Sequence, residues 1–451
     1  MRKGDEMNLD ERLQNVTIIG AAGKMGSGIA VLVAQEMSKL KLKPENNDKI
    51  YRLNLVDITE KALDGLRSYM KVQLVKAAEK STVLLRQIYA DRKDLIENGE
   101  IINAFVDDTY ALLNFTTDYN IAKDSHLIFE AIFENEEIKI KVLKQLKEIC
   151  LPDALFLTNT SSIPISFLDI EAELGGRIVG YHFYNPPVIQ KLVEIIYADN
   201  TTEELKEIGL EFGKRLRKKL VPAADISGFI GNGHFSRDGL YAMNKVEELK
   251  DEYGFHGALY IMNKISQDFL VRPMGIFQLI DYVGLDVFQS LLRVMRTHLK
   301  LEHLNSDLLN KFMDKKIAGG QNPHGSQKDG FIKYEKNRPA GVYNIEEGKY
   351  RLFDEDWRAE IDKKLNPTNE KFASWRALLM DANKMDKLET HFNKLKGMNT
   401  YGSELALDFL KTTKEIGANL IKDGVANSEK EVNEVLMNGF FWLYGPINYF
   451  I

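Results

Sequence analysis

The chain reads as an α/β protein, a doubly wound parallel sheet at the N-terminal end followed by all-α C-terminal domains. Three observations predict this. From Asn15 to Val221 short apolar runs alternate with amphipathic stretches, the pattern of strands joined by crossover helices. The first apolar run ends in glycines that open directly into a helical stretch. Beyond Pro222 strand-like runs largely disappear and helical periodicity takes over.

Val16–Ile19 (VTII) is the first buried strand, and Gly26–Leu40 the helix after it, with Ile29, Val33 and Met37 on its apolar face. Tyr51–Val56 (YRLNLV) is a second strand ending in Asp57. Residues 60–97 are polar and helical, an excursion from the sheet. His126–Ile132, Ala154–Thr158 and Arg177–Tyr181 are further strands, with Glu136–Ile149 the helix between the first two. The domains expected are an extension at 1–14, a nucleotide-binding domain at 15–221, a helical domain at 222–316, a loop-rich connection at 317–398 and a second helical module at 399–451. That module is suggested by an internal echo. Asn263–Ile280 aligns without gaps to Asn433–Phe450, placing Gly275 on Gly445, Phe277 on Ile447 and Leu279 on Tyr449.

Composition narrows the function. The 451 residues suffice for several domains, and 44% hydrophobic with 28% charged residues is ordinary for a globular protein. A net charge of −6 without a long basic block argues against nucleic acid as partner. The most basic run, Lys214–Lys219 (KRLRKK), reads as the last turn of a solvated helix. The one cysteine, Cys150, fits a reduced compartment and a packing role. No apolar segment approaches membrane-span length, and the first fourteen residues lack the apolar core of a secretory signal. A cytoplasmic protein without a membrane partner is expected.

Gly20-Ala21-Ala22-Gly23-Lys24-Met25-Gly26 lies between a strand and a helix. Glycines there allow a tight turn and close approach of a pyrophosphate, which the helix N-terminus attracts. Asp57, at the end of the second strand, suits the adenosine ribose hydroxyls and disfavours a 2′-phosphate, so NAD is expected rather than NADP. A purely structural glycine turn is the competing reading. Strand, turn, helix and later acid together make the fold Rossmann-like. Glu130 and Glu134 fall at a strand's carboxyl end, whereas Glu136 and Glu137 suit a solvated helix start. Thr158-Asn-Thr-Ser-Ser162 follows a buried strand and offers small hydrogen-bonding groups, although Ser162 also suits a helix cap before Pro164. In Tyr181–Glu194 (YHFYNPPVIQKLVE) a histidine and a glutamate stand either side of an Asn-Pro-Pro turn between two strands. Such a turn can fold the carboxylate onto the imidazole and orient a general base.

Taken together these residues resemble the L-3-hydroxyacyl-CoA dehydrogenase family. The landmarks are the glycine turn, LVD at Leu55–Asp57, EAIFEN at Glu130–Asn135, TNTSS at Thr158–Ser162, HFYNP at His182–Pro186, KLVE at Lys191–Glu194, GFIGN at Gly228–Asn232 and PMGIFQLIDYVGLD at Pro273–Asp286. They cover about residues 15–300 in order. The C-terminal echo looks like the duplicated helical module of some relatives, with Gly320–Tyr334 as an expanded glycine-rich connection. The resemblance implies NAD-dependent, reversible oxidation of an L-3-hydroxyacyl-CoA to the 3-oxoacyl-CoA. It implies His182 as general base and Glu194 as its orienting partner, Ser161 and Asn232 on the substrate oxygen or thioester carbonyl, and Asn185 beside the nicotinamide. Asp57, Glu134, Lys139 and Ser161 match cofactor contacts, and Lys80 a contact to the CoA phosphates; no metal is implied. The expected state is a monomer or homodimer.

Four departures stand out. The turn GAAGKMG is one residue longer than GxGxxG, and Leu42–Asp48 is an insertion. Gly233 replaces the family's arginine after Asn232, and Ser227 replaces a proline before Gly228. Two other classes remain open. One is another Rossmann β-hydroxyacid dehydrogenase, which would commonly use a lysine base. The other is a non-catalytic NAD-binding protein, which need not keep His182, Glu194, Ser161 and Asn232 together.

Overall fold

A computed structural model describes residues 7–322, 325–369 and 371–451. Part of the expected N-terminal extension, and Pro323 and His324 of the glycine-rich connection, lie outside the described residues. The chain divides into two compact units, Met1–Asp225 and Ile226–Ile451.

The first unit is built on one sheet of eight strands. They are β1 (Asn15–Ile19), β2 (Arg52–Val56), β3 (Leu113–Thr116), β4 (Leu127–Glu130), β5 (Leu155–Thr158), β6 (Ile178–Phe183), β7 (Leu192–Ile196) and β8 (Lys219–Ala223). Their order is β3-β2-β1-β4-β5-β6-β7-β8. Neighbours are parallel except β6 and β7. The exception has a simple cause. Parallel neighbours need a crossover of a dozen or more residues, usually a helix, and the connection 184–191 is too short for one. The chain therefore folds straight back, and His182 comes to lie opposite Glu194. Phe129, Tyr181 and Phe212 pack together on one face of the sheet, with centroids 5.3 Å apart for Phe129–Phe212 and 5.9 Å for Tyr181–Phe212.

Two strands were not expected from the sequence. β3 is short and only partly buried. β8 begins inside the basic run read as helix: the helix Glu203–Arg215 stops at Arg215, and Arg217 takes a left-handed φ of 54°. Lys218 then turns inward, donating to the carbonyls of Pro187 (2.5 Å) and Gln190 (2.6 Å). Burial pulls its ammonium down to about 8. The helical excursion runs longer than 60–97, as Glu60–Glu79, Thr82–Ile88 and Asn98–Tyr110. In the Leu42–Asp48 insertion, Asn46 donates to the Leu40 carbonyl at 2.7 Å and so closes the end of the preceding helix.

The second unit is largely helical. Its long helix Gly231–Lys264 is interrupted at Gly254, whose φ is 66°. One apolar core runs from Phe235 to Phe450. The two halves of the internal echo share a packing device. Gly275 lies so close under Asn263 that a Cβ would stand 2.2 Å from its Oδ1, and at Gly445 the corresponding distance to Asn433 Oδ1 is 2.1 Å. Asn263 Oδ1 accepts from Gln278 N (3.1 Å) and Asn433 Oδ1 from Ile447 N (3.0 Å). In each copy a helical asparagine ties down the glycine turn that follows.

The stretch read as loop-rich carries a second sheet, antiparallel, of β9 (Ile332–Glu335), β10 (Arg338–Asn344) and β11 (Lys349–Leu352) in the order β11-β10-β9. Lys336 and Asn337 join the first two with φ of 48° and 63°, the left-handed pair of a tight hairpin turn. Ahead of it the chain is clasped by the buried Asp281, which accepts from Phe331 N (2.7 Å), Ile332 N (2.9 Å) and Tyr334 OH (3.0 Å). Gly330 is required there, because a Cβ would fall 2.1 Å from Asp281 Oδ1.

Candidate active site

The short β6–β7 hairpin puts two side chains of unlike chemistry face to face. His182 Nδ1 lies 2.8 Å from Glu194 Oε2, and both residues are buried. The same carboxylate oxygen accepts from Tyr184 OH at 2.8 Å. A carboxylate inside protein is costly unless hydrogen-bonded, and these two donors meet that need. A ring held through Nδ1 delivers its chemistry at Nε2.

The loop after β5 is organised by an acid–base–acid cluster. Lys139 Nζ bridges Glu130 Oε1 and Oε2 (2.7 and 2.9 Å) and stands 3.3 Å from Glu134 Oε2. Thr158 Oγ1 donates to Glu130 Oε2 at 2.6 Å. Glu134 Oε1 gathers Thr160 Oγ1 (2.7 Å), Ser161 N (2.8 Å) and Ser162 N (2.9 Å). Burial works to raise the Glu134 carboxyl; Lys139 and the surrounding hydroxyls and amides outweigh it, so the net shift is downward. Burial likewise works against the Lys139 ammonium, and the two glutamates more than restore it. Glu134 and Lys139, expected as cofactor contacts, thus hold the segment that carries Ser161. Asn159 links this loop to the dyad strand, its Oδ1 accepting from Phe183 N at 2.9 Å.

The glycine turn fits a dinucleotide pyrophosphate. Gly20 has a φ of 76°, and a Cβ there would meet the Ala131 carbonyl at 2.7 Å; one on Gly26 would meet the Gly20 carbonyl at 2.1 Å. Gly23 is the N-cap of the helix Lys24–Lys41 and supplies no capping side chain. The helix start presents a positively polarised backbone. One residue that sequence reasoning passed over, Gly28, joins this turn to the loop of the dyad. A Cβ on Gly28 would lie 2.7 Å from Pro187, so the helix rests directly on the β6–β7 loop, which Lys218 holds from beneath.

Asp57 stands where expected but already has partners. Its Oδ2 accepts from Ala22 N and its Oδ1 from Ile58 N, both at 2.8 Å. The glycine turn and the acid are thus tied together through Ala22. A carboxylate offers about four acceptor positions, so both oxygens keep room for ribose hydroxyls. Lys80 is exposed at the end of the helix Glu60–Glu79, and Asn185 opens the β6–β7 loop before a cis peptide bond to Pro186. Asn232 is the second residue of the helix Gly231–Lys264. Among the described residues no group of three or more His, Cys, Asp or Glu is placed to hold a metal. Among the described residues no helix is long and apolar enough to cross a membrane.

Comparison with known proteins decides the family. The profile of the 3-hydroxyacyl-CoA dehydrogenase NAD-binding domain matches residues 15–226, and that of the C-terminal domain residues 263–329, more than half of the chain in total. The chain belongs to the 3-hydroxyacyl-CoA dehydrogenase family. Its cofactor is NAD. A probable 3-hydroxybutyryl-CoA dehydrogenase of Deinococcus radiodurans is 29% identical over 70% of this chain and 99% of its own length. A glyoxysomal fatty acid beta-oxidation multifunctional protein of Cucumis sativus is 27% identical over 75% of the chain, which spans 40% of that larger protein. The crystal structure of an Escherichia coli 3-hydroxybutyryl-CoA dehydrogenase shares the fold, with a TM-score of 0.62 over 96% of this chain and 90% of the other at 20% identity.

Proposed function

We propose that this protein interconverts L-3-hydroxyacyl-CoA and 3-oxoacyl-CoA, with His182 as the general base. The observation that carries the reading is the Nδ1–Oε2 contact of 2.8 Å between His182 and Glu194. NAD, when bound, accepts the hydride that leaves C3 of the substrate. His182 Nε2 takes the hydroxyl proton as the C–O double bond forms, and Glu194 steadies the imidazolium that results. In the reverse direction the same nitrogen returns the proton. Ser161, presented by the loop that Glu134 holds, and Asn232 donate to the substrate oxygen or thioester carbonyl, and Asn185 lies beside the nicotinamide. The turn from Gly20 through Ala22, Gly23, Lys24 and Met25 to Gly26 cradles the pyrophosphate, Asp57 takes the adenosine ribose, and Lys80 meets the CoA phosphates. Glu134 and Lys139 serve the site by fixing Ser161.

We further propose that the protein works in the cytoplasm as a monomer or homodimer; the helix Tyr401–Lys422 and the turn at Gly445, packed inside the second unit, favour the monomer. Loss of absorbance at 340 nm with NADH and acetoacetyl-CoA tests the reaction. Turnover that requires the CoA thioester is expected. Turnover of short free 3-hydroxyacids with none on acetoacetyl-CoA would move the protein to another β-hydroxyacid class.

A further inference from the structure

Side chains alternate across a strand, and at the end of β6 that alternation sorts two functions. Tyr181 and Phe183 pack on each other at a centroid distance of 5.3 Å. His182 and Tyr184 face the other way, 4.9 Å apart, towards Glu194 across the hairpin. Glu194 Oε2 accepts from both, at 2.8 Å in each case. We propose that Tyr184 is a positioning residue of the dyad, its hydroxyl sharing Glu194 Oε2 with His182 Nδ1 and so setting how strongly the carboxylate stabilises the imidazolium.

The physical argument is competition for one oxygen. A donor on a carboxylate stabilises its charge and drains it away from other partners. With the phenol present, Glu194 Oε2 is shared and its pull on the His182 Nδ1 proton is weakened. The hydroxyl is a permanent donor, since burial and then the neighbouring carboxylate push its own ionisation well above the ordinary tyrosine range.

Other charges nearby are committed elsewhere. β8 places the apolar Val221 beside Glu194, and Lys218 is held on the Pro187 and Gln190 carbonyls. On the β5 side Lys139 is bound by Glu130 and Glu134. Of the helices packed on β6, Ile165–Ala172 has Asp169 tied to Gly176 N and Asn200. In Glu203–Arg215, Lys206 pairs with Glu203, and Arg215 with Glu211 and Asp10.

The part this sharing plays in turnover rests on the dehydrogenase reading, whereas the effect on the imidazole does not. The test is an NMR titration of the protein with labelled histidine, the His182 signal being the one missing in His182→Gln. In Tyr184→Phe, which keeps the ring and deletes the hydroxyl, the His182 midpoint should rise by about half a unit, roughly threefold in proton affinity. The acidic limb of kcat/KM should move up with it. Replacing Tyr184 by 3-fluorotyrosine, a stronger donor, should move both down, and keeps the test open if the phenylalanine variant does not fold. In a Glu194→Gln background Tyr184→Phe should lose its effect, as coupled residues require. An unmoved midpoint, or the same movement without Glu194, overturns the proposal. If wild type turns over no CoA thioester, the dehydrogenase reading falls while the titration still decides the role of Tyr184.

Discussion

At the scale of single residues the account rests on which atoms share a proton or a charge. Asp57 is the case where a local bond changes an expectation. Its oxygens are half-occupied by Ala22 N and Ile58 N, so it approaches a ribose as a carboxylate already partly stabilised. It keeps its formal charge, and a 2′-phosphate brought close to it in a partly desolvated groove would be repelled by on the order of a few kcal/mol. Efficiency with NADH should exceed that with NADPH by more than about tenfold, and Asp57→Ala should shrink the ratio. A wild-type preference for NADPH would show that the longer turn has moved the adenosine away from Asp57. That acid was legible from its place after Leu55 and Val56. Its bond to Ala22 was not, because a turn sequence does not announce where each amide points. The Tyr184 hydroxyl was hidden for a similar reason, since a tyrosine at the end of an apolar strand reads as core.

At the scale of elements, the decisive feature is that β7 runs against β6. The sequence carries this in the shortness of the 184–191 connection, which leaves no length for a crossover helix, so the pairing of His182 with Glu194 was readable in principle. β3 and β8 were not, one being short and only partly buried and the other starting within six residues that include five cations. The 332–352 sheet had a readable signal, Lys336-Asn337 between alternating residues, masked by the surrounding glycines. The loop after β5 is where an element depends on one side chain. Glu134→Ala removes the shared acceptor of Thr160, Ser161 and Ser162 and one of the two partners of Lys139. Lys139 keeps Glu130, so the loss is that of the donors left without their acceptor, about 1–3 kcal/mol. Urea unfolding of the first unit should show that loss, and KM for the CoA substrate should rise as Ser161 loosens. Because the folded Glu134 carboxyl is held below its ordinary value of 4.5, its contribution is complete above that pH. It is lost as pH falls through the folded value. Equal midpoints for variant and wild type at pH 7 would contradict the clasp.

At the scale of the whole molecule, a sheet unit with a nucleotide turn and a hairpin-borne dyad is joined in sequence to a helical unit whose two asparagine–glycine turns repeat one device. The repeat was visible as an ungapped echo of low identity, and its meaning emerged only when both glycines proved to lie under their asparagines. The division near Pro222 was visible as a change of periodicity. The central proposal is that His182 moves the proton while the cofactor turn works separately. The most direct measurement is turnover of acetoacetyl-CoA by His182→Gln beside wild type, with NADH affinity measured on both. The account predicts a fall of about 10²–10⁴-fold in turnover with NADH affinity nearly unchanged; turnover within threefold of wild type would contradict it.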